Sequence, residues 1–263
     1  MKFKFRAILA DLDGTINRGN RLIPGADHVY RKLSANGFQW VFISNNAMRK
    51  ASEIAQKIRF LGLPIQDSQV VTSASALFHT LSKYHRGASI MAIAEESLIA
   101  GIQDSGCTIT TDPFDTAIVV VARDSRLTYE KIENAFFAIQ NGALFWATNT
   151  DPTFPVPGGF VPGAGCMVAA VAAPVGRPPD RVFGKPFSDI AEIVIDQLGV
   201  PRETCLVVGD RMDTDILFAR NSGFKSALVL TGATSREDLS QYTYAPDFVL
   251  ESIGDIEKIL PPK

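Results

Sequence analysis

Three observations predict an α/β fold: a doubly wound parallel-sheet core with a second α/β unit inserted into it. Short apolar runs alternate with helical patterns along the chain, which is the grammar of a parallel sheet covered by helices. Three of those runs stop abruptly at polar residues: Asp11-Leu12-Asp13, Ser44-Asn45-Asn46 and Gly209-Asp210. The middle of the chain repeats the strand–helix alternation with its own cadence. A length of 263 residues accommodates two domains of ordinary size. The expected division is a core of residues 1–81 and 180–263 and an inserted α/β cap of residues 82–179.

Residues 5–10 form the first apolar run and read as a buried strand ending at Asp11. A helical pattern follows over 26–36, with Gly37 as its stop. Residues 40–43 give a second strand, 51–60 a helix stopped by Gly62, 69–72 a strand and 74–84 a helix. In the inserted part, strands are expected at 88–93, 117–122 and 144–148, and helices at 95–105, 129–140 and 165–173. Residues 152–162 are rich in Pro and Gly and read as one shaped loop. The core resumes with a strand at 181–184 and a helix over 186–198, with Pro186 in its first turn and Gly199 as its stop. Strands at 204–208, 226–230 and 247–250 and a helix at 214–221 complete it.

Composition narrows the function. With 26 Lys+Arg against 28 Asp+Glu the formal net charge is −2, without the basic surplus of a nucleic-acid binder. No apolar run reaches the roughly 18 residues of a membrane span. Asp11 and Asp13 interrupt the apolar N-terminal stretch before a cleavage site could follow, so it reads as a mature cytoplasmic start. Cys107, Cys166 and Cys205 are odd in number and far apart. They read as buried small apolar residues, not as a disulfide framework or zinc site.

The chemistry gathers at the strand ends. In an open α/β sheet, ligands bind outside the carboxyl ends of the strands. Asp11, Asp13, Ser44, Asn45 and Asp210 would converge there, with Lys185 following the strand at 181–184. Clustered carboxylates repel one another, and a hard divalent cation such as Mg2+ removes that repulsion. Gly14 permits a sharp turn, so that amides after Asp11, at Leu12 and Gly14, can face an anion. Ser44 and Lys185 can hold phosphate oxygens. Asp11 can attack phosphorus as a nucleophile, and Asp13 can protonate the leaving oxygen and then activate water.

Asp11-Leu12-Asp13-Gly14-Thr15, Ser44-Asn45-Asn46, Lys185-Pro186 and Gly209-Asp210-Arg211-Met212-Asp213-Thr214-Asp215 resemble, in order, the four motifs of the haloacid dehalogenase superfamily. Ala147-Thr148-Asn149-Thr150-Asp151, Phe154-Pro155 and Pro162-Gly163-Ala164-Gly165 resemble its capped p-nitrophenylphosphatase, phosphoglycolate phosphatase and nucleotide-phosphatase branch. The resemblance implies a Mg2+-dependent phosphatase of small phosphomonoesters. Asp11 matches the nucleophile and a metal ligand. Asp13 matches the general acid/base, with its carbonyl on the metal. Ser44, Asn45 and Asn46 match the phosphate-holding motif, Lys185 the charge-neutralising lysine, Asp210 the metal carboxylate and Asp215 its supporting acid. True dehalogenases lack an acid at the position of Asp13, which disfavours dehalogenation.

Two other readings use a similar set of groups: a phosphomutase of the same superfamily, and a phospho-aspartate signalling receiver, which is about half this size and has no cap. Within the cap, Asn149, Asp151 and Phe154 are candidates for contact with the leaving group, as are Arg123 and Phe160. On that reading their substitution changes substrate ranking and leaves metal dependence intact. Ile132, Phe136 and Ile139 recur at helical spacing, as core or as the partner face of a homo-oligomer.

Overall fold

The computed structural model describes residues 5–156 and 159–260. The chain forms two compact units. One is made of Met1–Ser44, Ala51–Val71 and Lys185–Lys263, the other of Asn45–Lys50 and Thr72–Gly184.

The first unit is built on a six-stranded sheet in the order Phe248–Leu250, Lys225–Val229, Cys205–Gly209, Ala7–Asp11, Gln39–Ser44, Val70–Thr72. Pairing is parallel from Phe248–Leu250 through Gln39–Ser44. Ala7 to Ala10, Val41 to Ile43 and Cys205 to Val208 are fully buried. Strands covered on both faces require such continuous apolar runs. The register sets Asp11 beside Ile43 and Ala10 beside Val208. Asp11, Ser44 and Asp210 therefore share the carboxyl edge. The chain leaves the Ala7–Asp11 strand in one direction and later returns on its other side, so this strand is the topological switch point.

Helix Ala26–Ala35 buries Ala26, Val29, Tyr30 and Leu33, one stripe at 3.6-residue spacing. Gly37 follows with φ +84°. Helix Asp189–Leu198 buries Ile190, Ala191, Val194 and Leu198 and ends at left-handed Gly199. It starts three residues later than expected, with Ser188 at its N-cap and Pro186 before the helix.

The second unit carries a five-stranded parallel sheet in the order Arg181–Val182, Leu144–Ala147, Ile118–Val121, Ser89–Ile93, Thr108–Ile109. The strand expected at 181–184 as part of the core belongs here. Arg181 pairs with Trp146 and Val182 with Ala147, and the Arg181 guanidinium lies over the Trp146 and Phe183 rings. Helix Ser73–Tyr84 also belongs to this unit. A Cβ at Gly101, in helix Glu96–Asp104, would overlap the Phe78 ring, so glycine there lets the two helices pack closely. By contacts the division thus falls at 72 and 184, where the sequence suggested 82 and 179.

Residues 152–162 are not a simple loop. Thr153–Val156 and Gly159–Pro162 pair as an antiparallel ribbon. Each strand of a two-stranded ribbon has a free edge, which tolerates Pro155 and Pro162. Helix Tyr129–Gln140 buries Ala135, Ala138 and Ile139 in the inserted core, while Phe137 stays exposed. Cys107 and Cys205 are buried as expected, but Cys166 is exposed. It lies on helix Ala164–Val175, whose buried residues are Ala164, Val168 and Val171.

Candidate active site

In the first unit, Lys185 is the hub. Its Nζ donates to Asp11 Oδ1 and Asp215 Oδ1, each at 2.6 Å. Its side chain is only 3% exposed, against 14% for Asp11 and 1% for Asp215. Asp215 is fixed from its other side, where the Arg211 N–H donates to Oδ2 at 3.1 Å. Gly209 makes room for it, since a Cβ there would overlap the Asp215 carboxyl.

Asp210 is held by the loop after the Lys225–Val229 strand. The Ala233 N–H donates to its Oδ2 at 2.7 Å, and the Thr234 N–H to its backbone carbonyl at 3.1 Å. Gly14 and Gly232 line its carboxylate. A Cβ on Gly14 would stand 2.5 Å from Asp210 Oδ2, and one on Gly232 would overlap it. Asp210 Oδ1 is buried with no partner among the described residues.

The turn after Asp11 closes through its own amides and is tied to the Thr231 hydroxyl, which donates to the Gly14 carbonyl at 2.6 Å. The Ile16 and Asn17 amides donate to the Leu12 carbonyl, and the Gly14 N–H donates to the Asn17 carbonyl at 2.7 Å. The Gly14 amide, expected to face an anion, is thus engaged within the turn, because the turn closes on itself at φ +96°. Gly14 serves by that angle and by its missing Cβ. Leu12 is buried. The exposed Asp13 carboxylate accepts from Asn17 Nδ2 at 2.8 Å, and Lys57 lies 3.7 Å away. Ser44 is buried at the end of its strand.

Burial drives the electrostatics. Asp11 titrates well above the ordinary carboxylate range, because burial disfavours its charge; Asp215 and Asp210 push the same way against Lys185. Asp210 is pushed up to about 6 by burial and then by Asp215. Burial alone would depress Lys185, but Asp11 and Asp215 outweigh it and hold the ammonium charged. Three carboxylates thus surround one lysine. Ligand oxygens of Asp11, Asp210 and Asp215 come within 4.8 Å of one another. The partnerless Asp210 oxygen and the surplus negative charge fit a hard divalent cation. Asp11 and Asp210 would hold it, since Asp215 is committed to Lys185 and the Arg211 amide.

In the second unit, Asn149 and Asp151 meet Asn45. Asn45 Nδ2 donates to both Asp151 carboxylate oxygens, at 3.0 and 3.2 Å. Its carbonyl accepts from Asn149 Nδ2 at 2.9 Å and from Ser73 Oγ at 3.0 Å. The Asp151 N–H donates to Asn149 Oδ1. Asn46 Oδ1 accepts the Met48 and Arg49 amides, which is a turn-forming role. Phe154 lies beneath the Arg123 guanidinium, 5.3 Å from its ring centre. The Phe160 side chain falls outside the described residues.

Sequence reasoning missed Asn17, Gly232, Ala233 and Thr234. The carboxyl-edge rule that found Asp11 applies equally to the strand before Thr231-Gly232-Ala233-Thr234. That loop carries no acid or lysine to draw attention.

Residues 8–108 match the family model of haloacid dehalogenase-like hydrolases, and residues 182–256 match the HAD-hydrolase-like model. Over 252 residues the chain is 32% identical to the sugar-phosphatase AraL of Bacillus subtilis, covering 96% of this chain and 92% of that protein. The 4-nitrophenylphosphatase of Thermotoga maritima superposes with a TM-score of 0.89 at 33% identity, over 97% of both chains. The glycerol phosphate phosphatase Rv1692 of Mycobacterium tuberculosis, solved in complex with magnesium, gives 0.84 at 33% identity, over 95% of this chain and 75% of that one. This chain belongs to the haloacid dehalogenase-like hydrolases, in their branch of phosphoric monoester hydrolases with an inserted α/β cap.

Proposed function

We propose that the protein is a Mg2+-dependent phosphatase of small phosphomonoesters, working through an aspartyl-phosphate on Asp11. The observation that carries this is the Asp11–Lys185–Asp215 chain of 2.6 Å contacts beside the unsatisfied Asp210 carboxylate. Asp11 is a largely buried carboxylate at the switch point, in contact with the Lys185 ammonium.

Asp11 Oδ attacks phosphorus, forming the aspartyl P–O bond as the ester P–O bond breaks. Asp13 delivers the proton that the departing oxygen needs. Water then gives a proton back to Asp13 and attacks phosphorus, releasing phosphate and regenerating Asp11. Asn17, by its bond to Asp13, orients that carboxylate for both steps. Lys185 offsets the charge of Asp11 and of the phosphoryl oxygens, and Asp215 keeps Lys185 in place. Ser44 donates to a phosphoryl oxygen. Asp11, Asp210 and the Asp13 carbonyl would hold Mg2+, which would supply charge stabilisation to the transferring group. Selectivity among leaving groups resides in the inserted unit, with small metabolites, such as sugar phosphates, nucleoside monophosphates or phosphoglycolate, as the substrate class.

Phosphate release from a panel of phosphorylated metabolites tests the reading. EDTA should abolish release and Mg2+ should restore it. Free phosphate, not an isomerised ester, separates the enzyme from a phosphomutase. Full activity in metal-free buffer contradicts the metal role.

A further inference from the structure

Two segments of the first unit carry the groups assigned to the cation. The turn at the end of Ala7–Asp11 brings Asp11 and the Asp13 carbonyl, and Asp210 follows Cys205–Gly209. The two are in direct apposition: a Cβ on Gly14 would come to 2.5 Å from Asp210 Oδ2. A third segment, the loop at 231–234 after Lys225–Val229, grips both.

At one end of that loop, the Ala233 N–H donates to Asp210 Oδ2 at 2.7 Å and the Thr234 N–H to the Asp210 carbonyl at 3.1 Å. Thr234 Oγ1 accepts the Met212 N–H at 3.2 Å, and the Tyr244 hydroxyl donates to the Met212 carbonyl at 3.0 Å. At the other end, Thr231 Oγ1 donates to the Gly14 carbonyl at 2.6 Å. The exposed Arg18 donates to the Thr231 carbonyl.

Gly14 needs that grip. With φ +96° and no Cβ, it is where the turn can swivel. The peptide on its N-terminal side contains the Asp13 carbonyl, and it is held by the Gly14 N–H, which donates to the Asn17 carbonyl at 2.7 Å. The peptide on its C-terminal side is held by Thr231. Rotating the Asp13 carbonyl therefore strains one of these two bonds. Gly14 is half-buried, so water can take the place of the Thr231 hydroxyl on its carbonyl. Loss of the hydroxyl then spares the fold but frees the spacing.

Spacing matters unequally to different cations. Mg2+ demands near-octahedral oxygens at about 2.0–2.1 Å, whereas Ca2+ accepts six to eight oxygens at about 2.3–2.6 Å in flexible geometry. Ligands locked by a third segment suit the stricter ion.

We propose that Thr231 is a positioning residue for metal selectivity: its hydroxyl fixes the distance between the Asp13 carbonyl and the Asp210 carboxylate, and so favours Mg2+ relative to Ca2+. This rests on the metal assignment above. Asp210 Oδ1, buried with no partner among the described residues, is the ligand atom whose place must be set. Thr231 acts on it through Gly14 and the loop.

The test is isothermal titration calorimetry of the full chain, stripped with EDTA and titrated separately with Mg2+ and Ca2+. Thr231→Val removes the hydroxyl at nearly the same shape, and Thr231→Ser keeps it. Thr231→Val should weaken Mg2+ binding about tenfold or more, as loss of contacts behind metal ligands does. Ca2+ binding should weaken by about threefold or less, because its geometry is forgiving. Thr231→Ser should restore the wild-type ratio of the two affinities. Thermal unfolding in EDTA checks that each variant is folded; should Thr231→Val fail, Thr231→Ala takes its place. Equal weakening of both ions overturns the proposal, as does an unchanged Mg2+ affinity or a Thr231→Ser that binds like Thr231→Val. In those cases a wild type that binds Mg2+ leaves the metal assignment standing. A wild type that binds neither ion overturns both.

Discussion

Lys185 is a single ammonium shared by two buried carboxylates, and removing it exposes what it balances. Lys185→Met leaves Asp11 and Asp215 buried without a counter-charge, a change that costs about 3–5 kcal/mol in comparable pairs. Urea denaturation should show that loss, and phosphate release should vanish with it. Asp210 makes a second prediction. Its carboxyl is pushed up to about 6 before any cation arrives, by burial first and Asp215 next. Protons and metal compete for the same oxygens. Above that value the Asp210 carboxylate is ionised and its own protonation no longer limits metal affinity. Below it the protonated form dominates, and apparent affinity falls about tenfold per pH unit. Mg2+ titrations between pH 5 and 8 should show that break; an affinity constant down to pH 5 contradicts it. The gathering of Asp11, Asp210 and Lys185 was legible in the sequence because each follows the end of an apolar run, and that of Asp215 only through the resemblance of its motif. Asn17 was not, because an asparagine in a turn has a local explanation that needs no substrate.

At the scale of the element, the glycines around Asp210 matter more than their turn roles suggest. Gly232 has no left-handed requirement, yet a Cβ there overlaps the Asp210 carboxyl. Gly232→Ala should therefore displace the carboxylate, weaken Mg2+ binding at least tenfold, and cost about 1–3 kcal/mol as overpacking; calorimetry and thermal unfolding read the two effects separately. The Asn45 turn leads to a different expectation from the sequence. Asn149 and Asp151 bind Asn45 itself, the residue after Ser44. Asn149→Ala and Asp151→Ala should then lower kcat/KM by similar factors for every substrate, through the segment proposed to hold the phosphate. A change in substrate ranking alone would return them to leaving-group contact. Most strands and helices were legible, because buried parallel strands are continuous apolar runs and the helices end at glycine. The Thr153–Val156 and Gly159–Pro162 ribbon was not, since its prolines and glycines carry the same signal as a loop. Nor was the sheet to which Arg181–Val182 belongs, because two residues of strand hold no information about their partner.

The whole molecule joins two α/β units, and the division between them is set by packing the sequence does not display. Phe78 against Gly101 and Arg181 over Trp146 draw a helix and a strand into the inserted unit. Insertion itself was legible from the return of the strand–helix cadence. Metal binding should register globally: Mg2+ at a hundred times its Kd stabilises the native state by about 2.7 kcal/mol, raising Tm by several degrees, and Asp210→Asn should erase the shift. The central claim is that Asp11 carries the phosphoryl group. On the proposed mechanism Asp13→Asn removes the base that activates water, so the intermediate should accumulate. The measurement is peptide mass spectrometry of this variant, acid-quenched after mixing with p-nitrophenyl phosphate and Mg2+. One phosphoryl group on the peptide containing Asp11, absent when Asp11→Asn is added, is the predicted result. An unmodified peptide, with Asp11→Asn alone still hydrolysing at the wild-type rate, would contradict it.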